Sequence, residues 1–257
     1  MKQITCVPLA QVTESRQIMT LELQEIGFHY RSGEQILNNC CHTFENGITA
    51  LVGANGAGKT TLLRLLASLL KPKSGQINYC GHSIHTSASK LAEYRKLLGW
   101  LPQQASLAKN IVAIDYLRYL CWLKQIPSHE AETTIINLAQ QLEVEQVLAH
   151  PMRQLSGGTR RRVTLAGAML GSPKVLLLDE PSVGLDSTQR QAFLNALTPL
   201  SNECIIILST HILEDVFLAA NSCITVVDKT IKSAFSIDAL REQDALTLEL
   251  LRSKIGM

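Results

Sequence analysis

Polar and apolar residues alternate along Thr20-Leu21-Glu22-Leu23-Gln24, the spacing of a half-buried strand, and Ile26, Phe28 and Tyr30 resume the alternation after Glu25. Arg31-Ser32-Gly33-Glu34 is a turn signal, and Ile36-Leu37 begins a second strand that ends before Gly47. Ile48-Thr49-Ala50-Leu51-Val52 is a short apolar run of strand formers. Leu62, Leu63, Leu65, Leu66, Leu69 and Leu70 then recur at helical spacing, with a stop at Lys71-Pro72-Lys73-Ser74-Gly75. A short strand is expected from Gly75 to His82, turning at Gly81, and a helix over Leu91–Leu98. Between Gln103 and about Gln154 the pattern is helical. One helix covers Ile114–Lys124, and a second follows Pro127-Ser128 with Glu130 and Glu132 favourably placed in its first turn. Val175-Leu176-Leu177-Leu178 and Cys204–Leu208 read as fully buried strands, with a helix at Gln189–Leu200 between them. Buried strands alternating with helices predict a parallel sheet covered on both faces. There is no internal repeat.

One turn in this pattern carries chemistry. Gly53-Ala54-Asn55-Gly56-Ala57-Gly58-Lys59-Thr60-Thr61 fits G-x-x-x-x-G-K-[ST], the phosphate-binding P-loop, between a strand and a helix as that motif requires. Gly53, Gly56 and Gly58 allow backbone conformations closed to other residues and bring N–H groups close to an anion. With the positive end of the following helix they form a phosphate cradle. Lys59 is the residue expected to reach the β- and γ-phosphates, and the Thr60 hydroxyl to ligate Mg²⁺. A second cluster, Asp179-Glu180-Pro181, closes the buried run Leu176-Leu177-Leu178. In P-loop enzymes an acidic residue there completes the Mg²⁺ site. Asp179 fits that role, and Glu180 is placed to polarise the attacking water.

Composition narrows the setting. The chain has 257 residues, 46% hydrophobic and 18% charged, enough for a substantial α/β core, and its net charge of +2 gives no reason to expect nucleic-acid binding. Seven scattered cysteines with no C-x-x-C read as reduced thiols. No run of about 18 apolar residues is present, so no span is expected. Gln11, Thr13, Glu14 and Ser15 interrupt any apolar leader, so a soluble intracellular protein is expected.

Over residues 20 to 230 the chain resembles ATP-binding cassette (ABC) proteins. The most specific element is Leu155-Ser156-Gly157-Gly158-Thr159, similar to the family's signature sequence, at the start of a helix that ends at Gly171 before Pro173. The resemblance implies a P-loop NTPase core, a RecA-like parallel sheet with flanking helices, plus an N-terminal antiparallel β part and an inserted α-helical subdomain. The implied division is an extension at 1–19, one ABC ATPase domain at 20–235 with its helical subdomain at about 104–165, and a C-terminal helical tail at 236–257. It implies ATP and Mg²⁺ as cofactors, with Thr60, Gln103 and Asp179 on the metal. Gly53, Ala54, Asn55, Gly56, Ala57, Gly58, Lys59, Thr60 and Thr61 would hold the phosphates, and Tyr30 would stack on adenine. Ser156, Gly157 and Gly158 would bind the γ-phosphate from across a dimer. Glu180, His211, Gln103 and Lys59 form the implied catalytic set, with Glu180 as general base and His211 as the switch histidine. Gly184-Leu185-Asp186 matches the loop that communicates across the dimer.

The resemblance further implies a head-to-tail dimer with a second ABC ATPase subunit, homomeric or heteromeric, docked on a separate polytopic membrane subunit at the cytoplasmic face. The segment Ile111–Lys124 is similar to the corresponding helix of ATPases that power drug, peptide or polysaccharide export, so export is preferred over import. Its aromatic residues either line the docking groove or pack between helices. A soluble ABC ATPase acting as a mechanical switch and a nucleotide-gated module with negligible turnover are the alternatives, and the absence of N-K-x-D argues against a GTPase. Two departures stand out: Thr159 replaces the signature glutamine, and Ser187 follows Asp186 where many members have proline. Arg160-Arg161-Arg162 puts three cations in a first helical turn, against the macrodipole. They read either as exposed arginines or as groups that attract nucleotide.

Overall fold

The computed structural model describes residues 19–31, 33–104, 110–242 and 247–255. The expected extension at 1–19, apart from Met19, lies outside the described residues, as do Ser32 of the predicted turn and 105–109 of the predicted helical stretch. Two sheets organise the rest. The smaller is antiparallel and holds β1 (Thr20–His29), β2 (Gln35–Glu45), β4 (Ser74–Tyr79) and β5 (His82–Ser83) in the order β2-β1-β4-β5. The larger contains β3 (Gly47–Val52), β6 (Leu98–Leu101), β7 (Val175–Asp179), β8 (Ile205–Thr210), β9 (Ser222–Val227) and β10 (Thr230–Ser236), in the order β10-β9-β3-β8-β7-β6. All its pairings are parallel except that of β10 with β9.

The helices are α1 (Lys59–Leu66), α2 (Ala88–Lys96), α3 (Ala113–Leu123), α4 (Ser128–Gln141), α5 (Gly157–Met169), α6 (Ser187–Leu197), α7 (Leu213–Ala219), α8 (Ile237–Glu242) and α9 (Leu248–Ile255). The unbroken apolar runs of the central strands follow from burial on both faces. Leu176, Leu178, Ile206 and Leu208 join the core shared with α3, α4 and α5. Val175, Leu177, Ile205 and Ile207 point the other way, into the layer that α1 and the antiparallel sheet complete. Each such side chain contributes about 1.5–3 kcal/mol through removal from water. Parallel register brings the carboxyl ends of the strands together: Val52 pairs with Thr210, and Asp179 with Ser209. Ligands of open α/β sheets bind at that edge.

Three boundaries and one hairpin differ from the sequence expectation. α1 stops at Leu66, because Ser68 turns left-handed (φ 55) and the N–H groups of Leu69 and Leu70 both return to the Arg64 carbonyl. Leu69 is therefore 58% exposed rather than part of an apolar stripe. The helix expected over Leu91–Leu98 is α2, which ends at Lys96, and Leu98 already belongs to β6. The helix expected at Gln189–Leu200 starts two residues earlier, where Asp186 caps α6 by accepting from the Gln189 N–H at 2.8 Å. The β9–β10 hairpin was not expected; Asp228 and Lys229 both adopt positive φ at its turn, with no glycine to announce it. At the C-terminal end, Ile237 of α8 and Leu251 of α9 enter the main core, where α9 packs against α7.

Candidate functional site

The loop after β3 has the shape its glycines permit. Gly56 and Gly58 have φ of +82° and +106°. A Cβ at Gly53 would lie 2.5 Å from the Val226 carbonyl, and one at Gly58 would lie 2.9 Å from Leu37. Side chains are thus excluded on two sides while Ala54, Asn55 and Gly56 remain exposed. Lys59 folds back across the loop, donating to the carbonyls of Gly53 at 2.7 Å and Ala54 at 3.1 Å. Burial lowers the pKa of its ammonium, and the nearby Glu180 and Asp179 carboxylates oppose that shift. Ala57 closes the turn through its N–H to Ala54.

Strands β7 and β8 carry the groups that face this loop. Asp179, buried at the end of β7, accepts from Thr60 Oγ1 at 3.1 Å and from Ser209 Oγ at 2.8 Å on the same Oδ1. Glu180 follows in the left-handed region (φ 45), where a residue with a branched or bulky side chain is strained. Its N–H donates to Ser209 Oγ at 2.9 Å. Its carboxylate receives Gln103 Nε2 at 2.8 Å, and His211 Nδ1 lies 3.7 Å away. Lys59, Thr60, Gln103, Asp179, Glu180 and His211 therefore converge on one edge of the sheet.

Tyr30, just past β1, reaches the same region from the antiparallel sheet. Its hydroxyl is 3.3 Å from Thr61 Oγ1, its ring packs edge-on against Phe28, and it is 38% exposed. The signature stretch stands apart. Ser156 caps α5, its Oγ accepting from the Thr159 N–H at 3.1 Å. Among the described residues no hydrogen bond ties Ser156, Gly157 or Gly158 to the P-loop. Thr159 places its hydroxyl 2.8 Å from Ser156 Oγ, so it supports the cap in place of the glutamine.

The arginine triplet departs from the exposed reading at two of its three positions. Arg160 is exposed, but Arg161 is half-buried and donates to backbone carbonyls. Arg162 is also half-buried, bonding to the Leu142 carbonyl and to Glu143. Sequence reasoning also missed Ser209, Ser182, Thr210 and Asp215. Asp215 is fully buried and accepts from Thr210 Oγ1 at 2.7 Å and from Ser182 Oγ. The available signal was Ser209-Thr210, two hydroxyls closing an otherwise apolar buried strand.

The donor chemistry suits Mg²⁺. A hydroxyl and a carboxylate flank the glycine-rich loop, and Gln103 turns its amide nitrogen to Glu180, which leaves the amide oxygen for a cation. Mg²⁺ takes few protein oxygens and completes its octahedron with substrate phosphates and water.

A model of the ABC transporter family matches residues 37–183. The chain is 30% identical over 234 residues to the ABC transporter ATP-binding protein YxlF of Bacillus subtilis (strain 168), covering 91% of this chain and 77% of that one. It is 34% identical over 193 residues to human ATP-binding cassette sub-family A member 9, which covers 75% of this chain but only 12% of that protein's length. It is 33% identical over 188 residues to the phosphonates import ATP-binding protein PhnC of Treponema denticola (strain ATCC 35405 / DSM 14222 / CIP 103919 / JCM 8153 / KCTC 15104), covering 69% of this chain and 73% of that one. Among solved structures, an ATP-binding subunit of an ABC transporter superposes with a TM-score of 0.80 at 24% identity, covering 92% of this chain and 99% of that one. The dimeric cassette MJ0796 superposes with a TM-score of 0.78 at 22% identity, covering 84% and 98%. At these identities the superpositions establish the fold.

Proposed function

This chain belongs to the ABC transporter family, and from that premise we propose that it is the ATP-hydrolysing subunit of a transporter, working with a second cassette and a separate polytopic membrane subunit. The observation that carries the reading is the Thr60–Asp179 and Gln103–Glu180 pairing across the P-loop edge. The loop N–H groups and the start of α1 hold the phosphates of ATP. Lys59 exchanges its two loop carbonyls for phosphate oxygens and stabilises charge on the transferring group. Thr60, Asp179 and Gln103 would hold Mg²⁺, which when bound would offset the negative charge of the phosphates. Glu180 orients water for attack in line with the γ-phosphate and takes its proton, with His211 beside it on the γ-phosphate. Tyr30 stacks on the base. Ser156, Gly157 and Gly158 serve the partner cassette's ATP in a head-to-tail dimer, in keeping with their distance in bonding terms from this chain's own P-loop.

Export is the preferred direction, on the similarity of α3 to the corresponding helix of exporters. The family alone leaves direction open, since an importer stands among the relatives. Among the described residues no helix is long and apolar enough to cross a membrane. Attachment to the cytoplasmic face through the membrane subunit is part of the proposal.

The test is Glu180→Gln. The amide keeps the contact with Gln103 but cannot take a proton, so turnover should fall by about 10²–10⁴-fold while ATP binding and ATP-dependent dimerisation persist. Turnover at the wild-type rate would remove Glu180 from the mechanism.

A further inference from the structure

Arg161 is the most heavily committed side chain outside the proposed catalytic set. It sits in the second turn of α5, and its guanidinium turns back toward the sheet edge. Nε donates to the Pro181 carbonyl at 3.2 Å. Nη1 donates to the Pro102 carbonyl and, at 3.2 Å, to that of Gln103. Nη2 donates to the carbonyls of Asp179 at 2.7 Å and Glu180 at 3.2 Å. A guanidinium has five N–H groups in a rigid fork, and here each has a carbonyl acceptor. Those carbonyls belong to two stretches that are adjacent in space but far apart in sequence: the loop after β6, which carries Gln103, and the last residue of β7 with the loop after it, which carries Glu180.

We infer that Arg161 is a positioning residue for ATP hydrolysis, a clip that sets the Gln103 and Glu180 side chains against each other by holding their backbones from behind. The inference rests on the assignment of Gln103 and Glu180 to the reaction. Two further observations support it. Glu180 has φ of 45, a conformation that persists only where surrounding contacts over-determine it. Its N–H is held by Ser209 and its carbonyl by Arg161, so the strained peptide is clamped at both ends. The guanidinium is also partly withdrawn from water, enclosed by these carbonyls beside the Asp179 and Glu180 carboxylates. A cation kept in such a place at a cost serves something more specific than solubility. Because Arg161 travels with α5, the clip also ties the helix that begins at Ser156 to the Gln103–Glu180 pair.

The experiment compares wild type with Arg161→Ala and Arg161→Lys, using hydrogen–deuterium exchange and steady-state ATPase assays well below the melting temperature. Exchange should rise in peptides covering 101–104 and 179–183 in both variants, with β3 and β8 as protected as in wild type. Lysine keeps charge and stem, but its ammonium is a single point and cannot bridge both loops. It should therefore recover the wild-type melting temperature and little else. Turnover should fall on the order of 10-fold to 100-fold, the cost of misplacing reacting groups by about 1 Å, with ATP affinity nearly unchanged. Guanidinium ion added to Arg161→Ala should restore part of the rate.

Unchanged exchange at both loops in Arg161→Ala would overturn the inference, whether or not the protein hydrolyses ATP. So would a rate loss fully matched by lost folded protein or lost ATP affinity, or a lysine variant with wild-type turnover. Glu180→Gln in the same assays tests the proposed function separately: if it turns over normally while the two loops still loosen without Arg161, the clip stands and the assignment of Glu180 fails.

Discussion

Ser209 does two jobs with one hydroxyl. It donates to Asp179 Oδ1 and accepts the N–H of Glu180, so it joins the proposed metal ligand to the proposed base at a fully buried position. Ser209→Ala strands a buried N–H in the left-handed Glu180 peptide. The expected cost is about 1–3 kcal/mol in chemical denaturation, with slower turnover at unchanged ATP affinity. Asp215 poses a different question. Burial raises its pKa above the ordinary 3.8, although the hydroxyls of Ser182 and Thr210 and the charge of Arg190 pull it down. A carboxyl with a raised native pKa keeps its proton in the folded state at pH values where the unfolded chain has lost it. Its contribution to stability is therefore greatest below 3.8 and declines as pH rises through the raised native value. Asp215→Asn should flatten the pH dependence of unfolding free energy in that window. Absolute stability should fall, since an amide NH₂ would face Arg190. An unaltered slope would mean that Asp215 titrates normally.

At the scale of elements, the two signature glycines meet different surroundings although they are neighbours on α5. A Cβ at Gly158 would lie 2.4 Å from Gln189 Oε1 and 3.1 Å from Leu185, whereas one at Gly157 would meet nothing within 4 Å. Gly157→Ala should thus leave the melting temperature unchanged or higher, as alanine is favoured over glycine in a helix by about 1 kcal/mol. ATP-driven dimerisation and turnover should nevertheless drop, because in the proposed head-to-tail dimer the open space at Gly157 takes the partner's nucleotide. Full activity in that variant would separate the signature from the ATP site. The same helix explains what was legible in the sequence and what was not. The P-loop, the acidic strand end and the cap at Ser156 rest on local chemistry that short motifs record. The start of β6 was missed because Leu97-Leu98 prolongs the apolar pattern of α2. The telling residue there is Gly99, whose Cβ would come within 2.3 Å of the Ala168 carbonyl of α5, a close approach that only the tertiary structure reveals. The contacts of Arg161 escaped for the same reason, since its partners are backbone carbonyls distant in sequence, and those of Asp215 escaped because Ser182 is brought to it from another loop.

At the scale of the whole molecule, another outward-facing feature stands out among the described residues besides Ser156 and Gly157. Leu117 and Cys121 bury one side of α3, while Tyr119 and Trp122 stack at 6.1 Å on the other and stand 53% and 72% exposed. These two are not helix-packing residues, which was one reading of the segment; Tyr116 and Leu120 take that role. Side chains of this size left in water lie beyond the Gln103 loop, on the helical part that Arg161 ties to the proposed catalytic pair. In the proposed transporter, that is where the membrane subunit presses to sense or drive ATP turnover. Tyr119→Ala combined with Trp122→Ala removes the exposed rings without touching the P-loop edge. The purified double variant should hydrolyse ATP close to the wild-type rate, melt at the wild-type temperature, and fail to co-purify with gently solubilised membranes or to support transport. Retained membrane association would move the docking surface elsewhere. Equal loss of hydrolysis and association would instead make the pair part of the subdomain's own structure.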